Sequence, residues 1–146
     1  MNTIDKLIDL KSSEVWTIST DDTVFDAIKK MNDKSIGALP VVENDKLVGI
    51  ISERDYARKV ILENRSSKDT LVKEIMTERV FHVLPDNKIE ECMTLMTKHH
   101  IRHLPVVNKG KLCGMISVGD VVKFIISDQQ FKIEQLEHNI SWGESY

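Results

Sequence analysis

Residues 15–61 and 80–126 carry one pattern twice, in register at a constant offset of 65 and without a gap. The most legible stretch, IGALPVVENDKLVGIISERD at residues 36–55, returns as IRHLPVVNKGKLCGMISVGD at residues 101–120. Whatever fold one copy adopts the other must adopt as well, which restricts the chain to architectures made by doubling one small unit. Each copy is of a size at which a lone hydrophobic core is marginal, so the two are expected to share a core. The duplication also provides an internal comparison. Positions alike in both copies are scaffold, and positions that differ are where private chemistry can reside.

Within each copy apolar residues recur at helical spacing, first Val24, Ala27, Ile28 and Met31, then Ile89, Cys92, Met93 and Met96. Asp21 and Asp86 lie just ahead of these stripes and are expected to cap the helices. Short strands are expected before them, at 15–18 and 80–83. After them come strand pairs at 39–42 with 47–51 and at 104–107 with 112–116, joined by polar hairpin loops. Pro40 and Pro105 each begin a strand, where a missing N–H is tolerated. A last helix is expected over about 53–64, followed by the polar connector ENRSSKDT. In the second copy that helix continues as an amphipathic extension through Phe131, Ile133, Leu136 and Ile140, suited to packing on its own domain or to contacting a partner.

At 41% hydrophobic and 29% charged residues, the 146-residue chain has the composition of a soluble globular protein. A net charge of −3 gives no electrostatic case for nucleic acid or an anionic membrane surface, and neither is expected as a partner. No apolar run approaches the roughly 18 residues of a membrane span, and MNTIDKLIDLK lacks a signal-peptide pattern, so the cytoplasm is the expected location. Cys92 and Cys113 align with Ala27 and Val48, which marks them as small apolar positions rather than a disulfide.

The two copies share a second motif, Gly49-Ile50-Ile51-Ser52-Glu53-Arg54-Asp55 and Gly114-Met115-Ile116-Ser117-Val118-Gly119-Asp120, each closing a strand and opening a helix. A Ser followed three residues later by an acid can be a capping box and nothing more. The same corner also presents N–H groups and positive partial charge to a phosphate, while its Asp can accept from the hydroxyls of a ribose. His99, His100 and His103 invite a metal reading, but the helix is expected to end near His100 and a strand to start near His103. No acid or thiol completes the set, and no metal is expected. No arrangement marks a catalytic nucleophile or acid–base pair, so no enzyme is expected.

On these residues the repeat resembles the CBS domain, named after cystathionine beta-synthase, and the tandem resembles the Bateman module built from such pairs. The resemblance rests on Gly37-Ala38-Leu39-Pro40-Val41-Val42, Arg102-His103-Leu104-Pro105-Val106-Val107 and the two Gly-x-x-Ser-x-x-Asp corners, and covers nearly the whole chain. It implies an α+β fold of two pseudo-symmetric β-α-β-β-α repeats, 1–66 and 67–146, packed sheet to sheet with two clefts between them. Such clefts hold adenosine-containing ligands, here AMP, ADP, ATP or NAD, with no catalytic cofactor.

Carried over by position, Ser117 and Asp120 resemble the phosphate and ribose contacts of one cleft, its adenine against Lys11, Trp16, Ile36, Gly37 and Ala38. Ser52 and Asp55 face Met76, Phe81, Ile101, Arg102 and His103 in the other. Trp16 and Phe81 suit plain core as well as they suit a wall for the base. Arg54, Arg102 and His103 are the expected phosphate contacts, and Gly119 in the place of Arg54 implies clefts of unequal charge. The resemblance therefore implies a homodimeric, non-catalytic regulatory module with a regulated protein partner. The alternative is a ligand-free interaction scaffold whose motifs only cap helices.

Overall fold

The computed structural model describes residues 2–11 and 14–140, with side chains described as far as His138. In chain order its elements are α1 (Ile4–Lys11), β1 (Ile18–Ser19), α2 (Val24–Lys34), β2 (Ala38–Glu43), β3 (Lys46–Ser52) and α3 (Glu53–Tyr56). A π-helical turn (Ala57–Ile61) leads to α4 (Val72–Ile75), α5 (Ile89–His99), β4 (His103–Asn108), β5 (Lys111–Ser117) and α6 (Val118–Ile140).

The duplicated pattern becomes duplicated structure. β2 and β3 pair antiparallel around Asn44 and Asp45 (φ 50° and 64°), and β4 and β5 pair around Lys109 and Gly110 (φ 52° and 80°). Two consecutive positive-φ residues give the turn whose twist matches a hairpin. Both hairpins shift register at the same place, between Val41 and Val42 and between Val106 and Val107. β1 runs parallel to β2, whereas the strand expected at 80–83 contracts to one bridge between Val83 and Val106. There the Val83 N–H still bonds Pro105 O at 3.0 Å, so the pairing is kept but not extended into a strand.

Local expectations change at the starts of α2 and α5 and in the last helix of the first repeat. Asp21 does not cap α2: Thr23, the residue next to the helix, accepts from the Asp26 N–H at 3.1 Å, while Asp21 pairs with Lys73 at 3.1 Å. A cap must stand directly before the first helical residue for its oxygen to reach the free N–H groups. The equivalent Asp86 is likewise displaced, by Glu91, whose Oε1 accepts from the Lys88 N–H at 2.9 Å. The helix expected over 53–64 passes from α3 into the π turn, where Leu62 N reaches back to Ala57 O at 3.1 Å. That turn buries Val60 and leaves Ile61 and Leu62 exposed. α6 is continuous; from Gln129 to His138 its residues are exposed, and the side chain of Ile140 lies outside the described residues.

Instead of one shared core there are two clusters. Val24, Ala27, Met31, Leu39, Val41 and Ile51 form the first, and Ile89, Cys92, Met96, Leu104, Val106 and Ile116 the second. The two copies are joined by an exchange. α1 precedes the first copy but buries Ile4 and Leu7 in the second core, and α4 precedes the second copy but buries Val72 and Ile75 in the first. The exchanged helices are received in the same way. Ile4 N and Asp5 N bond Asn87 O and Pro85 O, both at 2.9 Å, while Val72 N and Lys73 N bond Asp22 O at 2.8 Å and Thr20 O at 3.1 Å. Glycine makes room for each. A Cβ on Gly114 would stand 2.5 Å from Ile8 Cδ1, and one on Gly49 would stand 2.6 Å from Met76 Sδ. β3 and β5 then pack against each other, completing the sheet-to-sheet α+β pair.

Leu7→Ala should therefore destabilise the second repeat although residue 7 precedes the first. Removing a fully buried leucine side chain costs about 2–5 kcal/mol, measurable as a lowered urea midpoint. An unchanged midpoint would show that α1 adds nothing to that core.

Candidate functional site

Each strand-to-helix corner closes as a reciprocal cap. Ser52 N donates to Asp55 Oδ2 at 2.9 Å while Asp55 N donates to Ser52 Oγ at 3.2 Å. At the second corner Ser117 N donates to Asp120 Oδ2 at 2.9 Å and Asp120 N to Ser117 Oγ at 3.1 Å. The capping role is thus present at both corners. It also fixes the rotamer of each carboxylate, and each corner lines a concavity completed by the other repeat.

The Ser52–Asp55 cleft has a volume of about 550 Å³ and brings together Ser52, Arg54, Asp55, Phe81, Ile101, Arg102 and His103. The Ser117–Asp120 cleft, about 390 Å³, brings together Lys11, Trp16, Ile36, Gly37, Ala38, Ser117 and Asp120. Both lie within the range of small-molecule sites, about 300–1,000 Å³. Gly37, Ala38 and His103 line both clefts. Met76 is the one expected contact that lines neither; its side chain packs over Gly49 onto the first core. Phe81 stacks on His99, ring centroids 4.0 Å apart, and Lys34 Nζ sits 4.0 Å from the centroid of the Trp16 ring. Both aromatic rings thus combine packing with a place in a cleft wall.

Charge distinguishes the clefts. The larger also holds Arg58, Arg79, His99 and His100, which the motif reading missed. The internal comparison contained the signal, because Arg79 aligns with Glu14 of the smaller cleft. In that smaller cleft Lys11 and Lys34 face Glu14 and Asp120, so its fixed charges balance. Lys11 Nζ donates to Met115 O at 2.6 Å and to Asp120 Oδ2 at 2.8 Å, tying the end of α1 to the floor of the cleft. Burial by itself would raise the Asp120 pKa, but the bonds from Lys11 and from the Ser117 N–H hold it below the usual carboxylate value. In the larger cleft Arg54 Nη1 donates to His100 O at 3.2 Å, so part of its basic array is already anchored.

The histidine cluster does not converge. α5 ends at His99, His100 is left-handed (φ 54°) and His103 begins β4. Among the described residues no group of His, Cys, Asp and Glu could hold a metal ion. Cys92 and Cys113 are free thiols, and burial pushes the Cys92 pKa up to about 11. Among the described residues no helix is long and apolar enough to cross a membrane.

A family model described as CBS domain matches residues 7–62 and again residues 72–127. The chain belongs to the CBS domain family, as a tandem pair. The mitochondrial CBS domain-containing protein CBSX3 of Arabidopsis thaliana is 45% identical over 136 residues, which cover 90% of this chain and 66% of that protein. A protein with CBS domains from Burkholderia ambifaria MC40-6 has a TM-score of 0.83 at 50% identity, over 88% of this chain and 96% of that one. The hexameric CBS-CP12 protein of bloom-forming cyanobacteria has a TM-score of 0.72 at 32% identity, over 82% of this chain and 70% of that one.

His103, half-buried between the clefts, has its pKa lowered first by desolvation and then by Lys11, Arg102 and Arg54, against the opposing pull of Asp120. A proton therefore binds the unfolded chain more readily than the folded one, and stability must fall as pH drops below the ordinary histidine value of 6.5. His103→Gln should flatten that part of the profile in urea titrations between neutral and mildly acidic pH. The depressed Asp120 pKa acts separately, in the more acid range around and below 3.8. An identical slope in the glutamine variant would remove His103 from the account.

Proposed function

We propose that this chain is a non-catalytic regulatory module that binds an adenine nucleotide, AMP, ADP, ATP or NAD, in the clefts between its repeats. It reports energy or redox state to a regulated protein partner. The observation that carries the reading is the shared construction of the clefts: a capped Ser–Asp corner from one repeat faces a backbone segment and an aromatic ring from the other. The helix start offers N–H groups to a phosphate, the Asp offers acceptors to ribose hydroxyls, and the facing segment offers a slot for the base. A buried base with a few charge-assisted bonds can supply the about −8 kcal/mol of micromolar affinity.

The charge difference divides the work between the clefts. Arg54, Arg58, Arg79 and Arg102 suit the larger cleft to the ligand with more phosphates, and the balanced smaller cleft suits adenosine with few. A ligand held by both repeats favours one relative placement of them over others, which is the differential affinity that sensing needs. The module works as a homodimer, a reading supported by the hexameric assembly of the CBS-CP12 relative. Its proposed setting is the cytoplasm.

Asp120→Ala should weaken nucleotide binding at the smaller cleft by about tenfold or more, the worth of one or two charge-assisted hydrogen bonds. Loss of its cap should cost only about 1 kcal/mol of stability. Calorimetry with AMP, ADP, ATP and NAD on both proteins, after circular dichroism shows that each is folded, measures this. Unchanged affinity in a folded variant would end the assignment of Asp120. A thermal-shift screen of the wild type that stays flat with all four ligands would favour the ligand-free scaffold.

A further inference from the structure

The exposed part of α6 has a regularity that neither cleft uses. Val122, Ile126, Gln129, Ile133 and Leu136 follow each other at alternating spacings of four and three residues. That is the seam of a coiled coil, with one polar residue at its middle. The four apolar members are 45%, 62%, 48% and 62% exposed although they lie on one face of a continuous helix. The body of the molecule covers a different face, through Val121, Phe124 and Ile125. Beyond Asp128 the helix projects with its described residues exposed all round, to His138. A helical segment of about ten residues gains too little from its own backbone bonds to persist alone in water, and needs an apolar partner.

We propose that this seam is a self-association surface, occupied by α6 of a second copy of the chain running antiparallel. The charges flanking the seam point to the occupant and its direction. On one flank stand Lys123, Gln130 and Glu137, each seven residues apart. In an antiparallel pair the equivalent flanks of two helices face each other. A two-fold axis at Gln130 sets Lys123 of each copy opposite Glu137 of the other and brings the two Gln130 side chains together. The remaining flanking cation, Lys132, is neutralised within its own helix by Asp128 at 3.2 Å. The far half of each α6 then lies along the near half of its partner, where a hollow of about 400 Å³ between α5 and α6, lined by Met93, Met96, Val118 and Val122 and bordered by Arg54 and Arg102, opens beside the seam. This deepens the self-association in the proposed function by naming its surface. It stands on helix geometry alone and is independent of nucleotide binding.

The test reads assembly by sedimentation equilibrium of the full chain without nucleotide, with circular dichroism and melting curves as folding controls. The wild type is expected to be a dimer at micromolar concentration. Leu136→Asp, at a site exposed in the monomer, should yield a folded monomer. Lys123→Glu sets like charges opposite each other twice and should weaken the dimer about tenfold, while adding Glu137→Lys should restore it to within about twofold. A parallel pair would instead bring the new Lys at 137 against Lys132, and the double variant would stay weak. A monomeric wild type, a dimer indifferent to Leu136→Asp, or failure of the double variant to recover would each overturn the proposal. None of these outcomes bears on the nucleotide reading, which calorimetry decides separately.

Discussion

The exchange of α1 and α4 is the constraint on which the rest of the structure depends. Neither repeat completes its core from its own stretch of chain. Ile4 and Leu7 are delivered to the second core from ahead of the first repeat, and Val72 and Ile75 are delivered to the first from ahead of the second. A small repeat that cannot bury enough surface by itself is stabilised by borrowing a helix, and borrowing in both directions locks the two hairpins face to face. The clefts are by-products of that lock. Lys11 reaches Asp120 only because α1 is docked on the second repeat, with Ile8 filling the space left by Gly114.

The strand-to-helix corners serve two purposes with one set of atoms. In each, a serine and an aspartate satisfy the first free N–H groups of a helix, which would select those residue types whether or not a ligand exists. The same bonds fix the carboxylate in one orientation at the edge of a cavity. Ordering of that kind is a cost a ligand would otherwise bear. Structural and binding explanations are therefore not rivals at Ser52, Asp55, Ser117 and Asp120.

Much of this was legible from the duplication. The hairpins, the buried faces of α2 and α5, the two corners and the facing segments follow from periodicity and from comparing one copy with the other. The exchange was not. The bonds that receive the two helices match Ile4 with Val72 and Asp5 with Lys73, an offset of 68 that lies outside the register of 65, and which core each helix joins is decided by contacts distant in the chain. Met76 lines neither cleft for the same reason, because the space over Gly49 exists only once β3 and α4 are assembled. Arg79 was within reach, since Arg79 against Glu14 is a reversal of charge at equivalent positions, whereas Arg58 stands opposite Lys123 and gives no such signal. Both stand outside the strand-to-helix motif.

The single imidazole of His103 forms part of the wall of both cavities. Its counterpart, Ala38, borders both as well but carries only a methyl group, so of these two equivalent positions only His103 puts a ring that can turn between the chambers. On the proposed nucleotide reading, an occupant that turned this ring in one chamber would reshape the other, and the influence would run equally in reverse, since the free energy linking two sites has no preferred direction. What one chamber held would thereby be reported to its neighbour through a side chain that belongs to both.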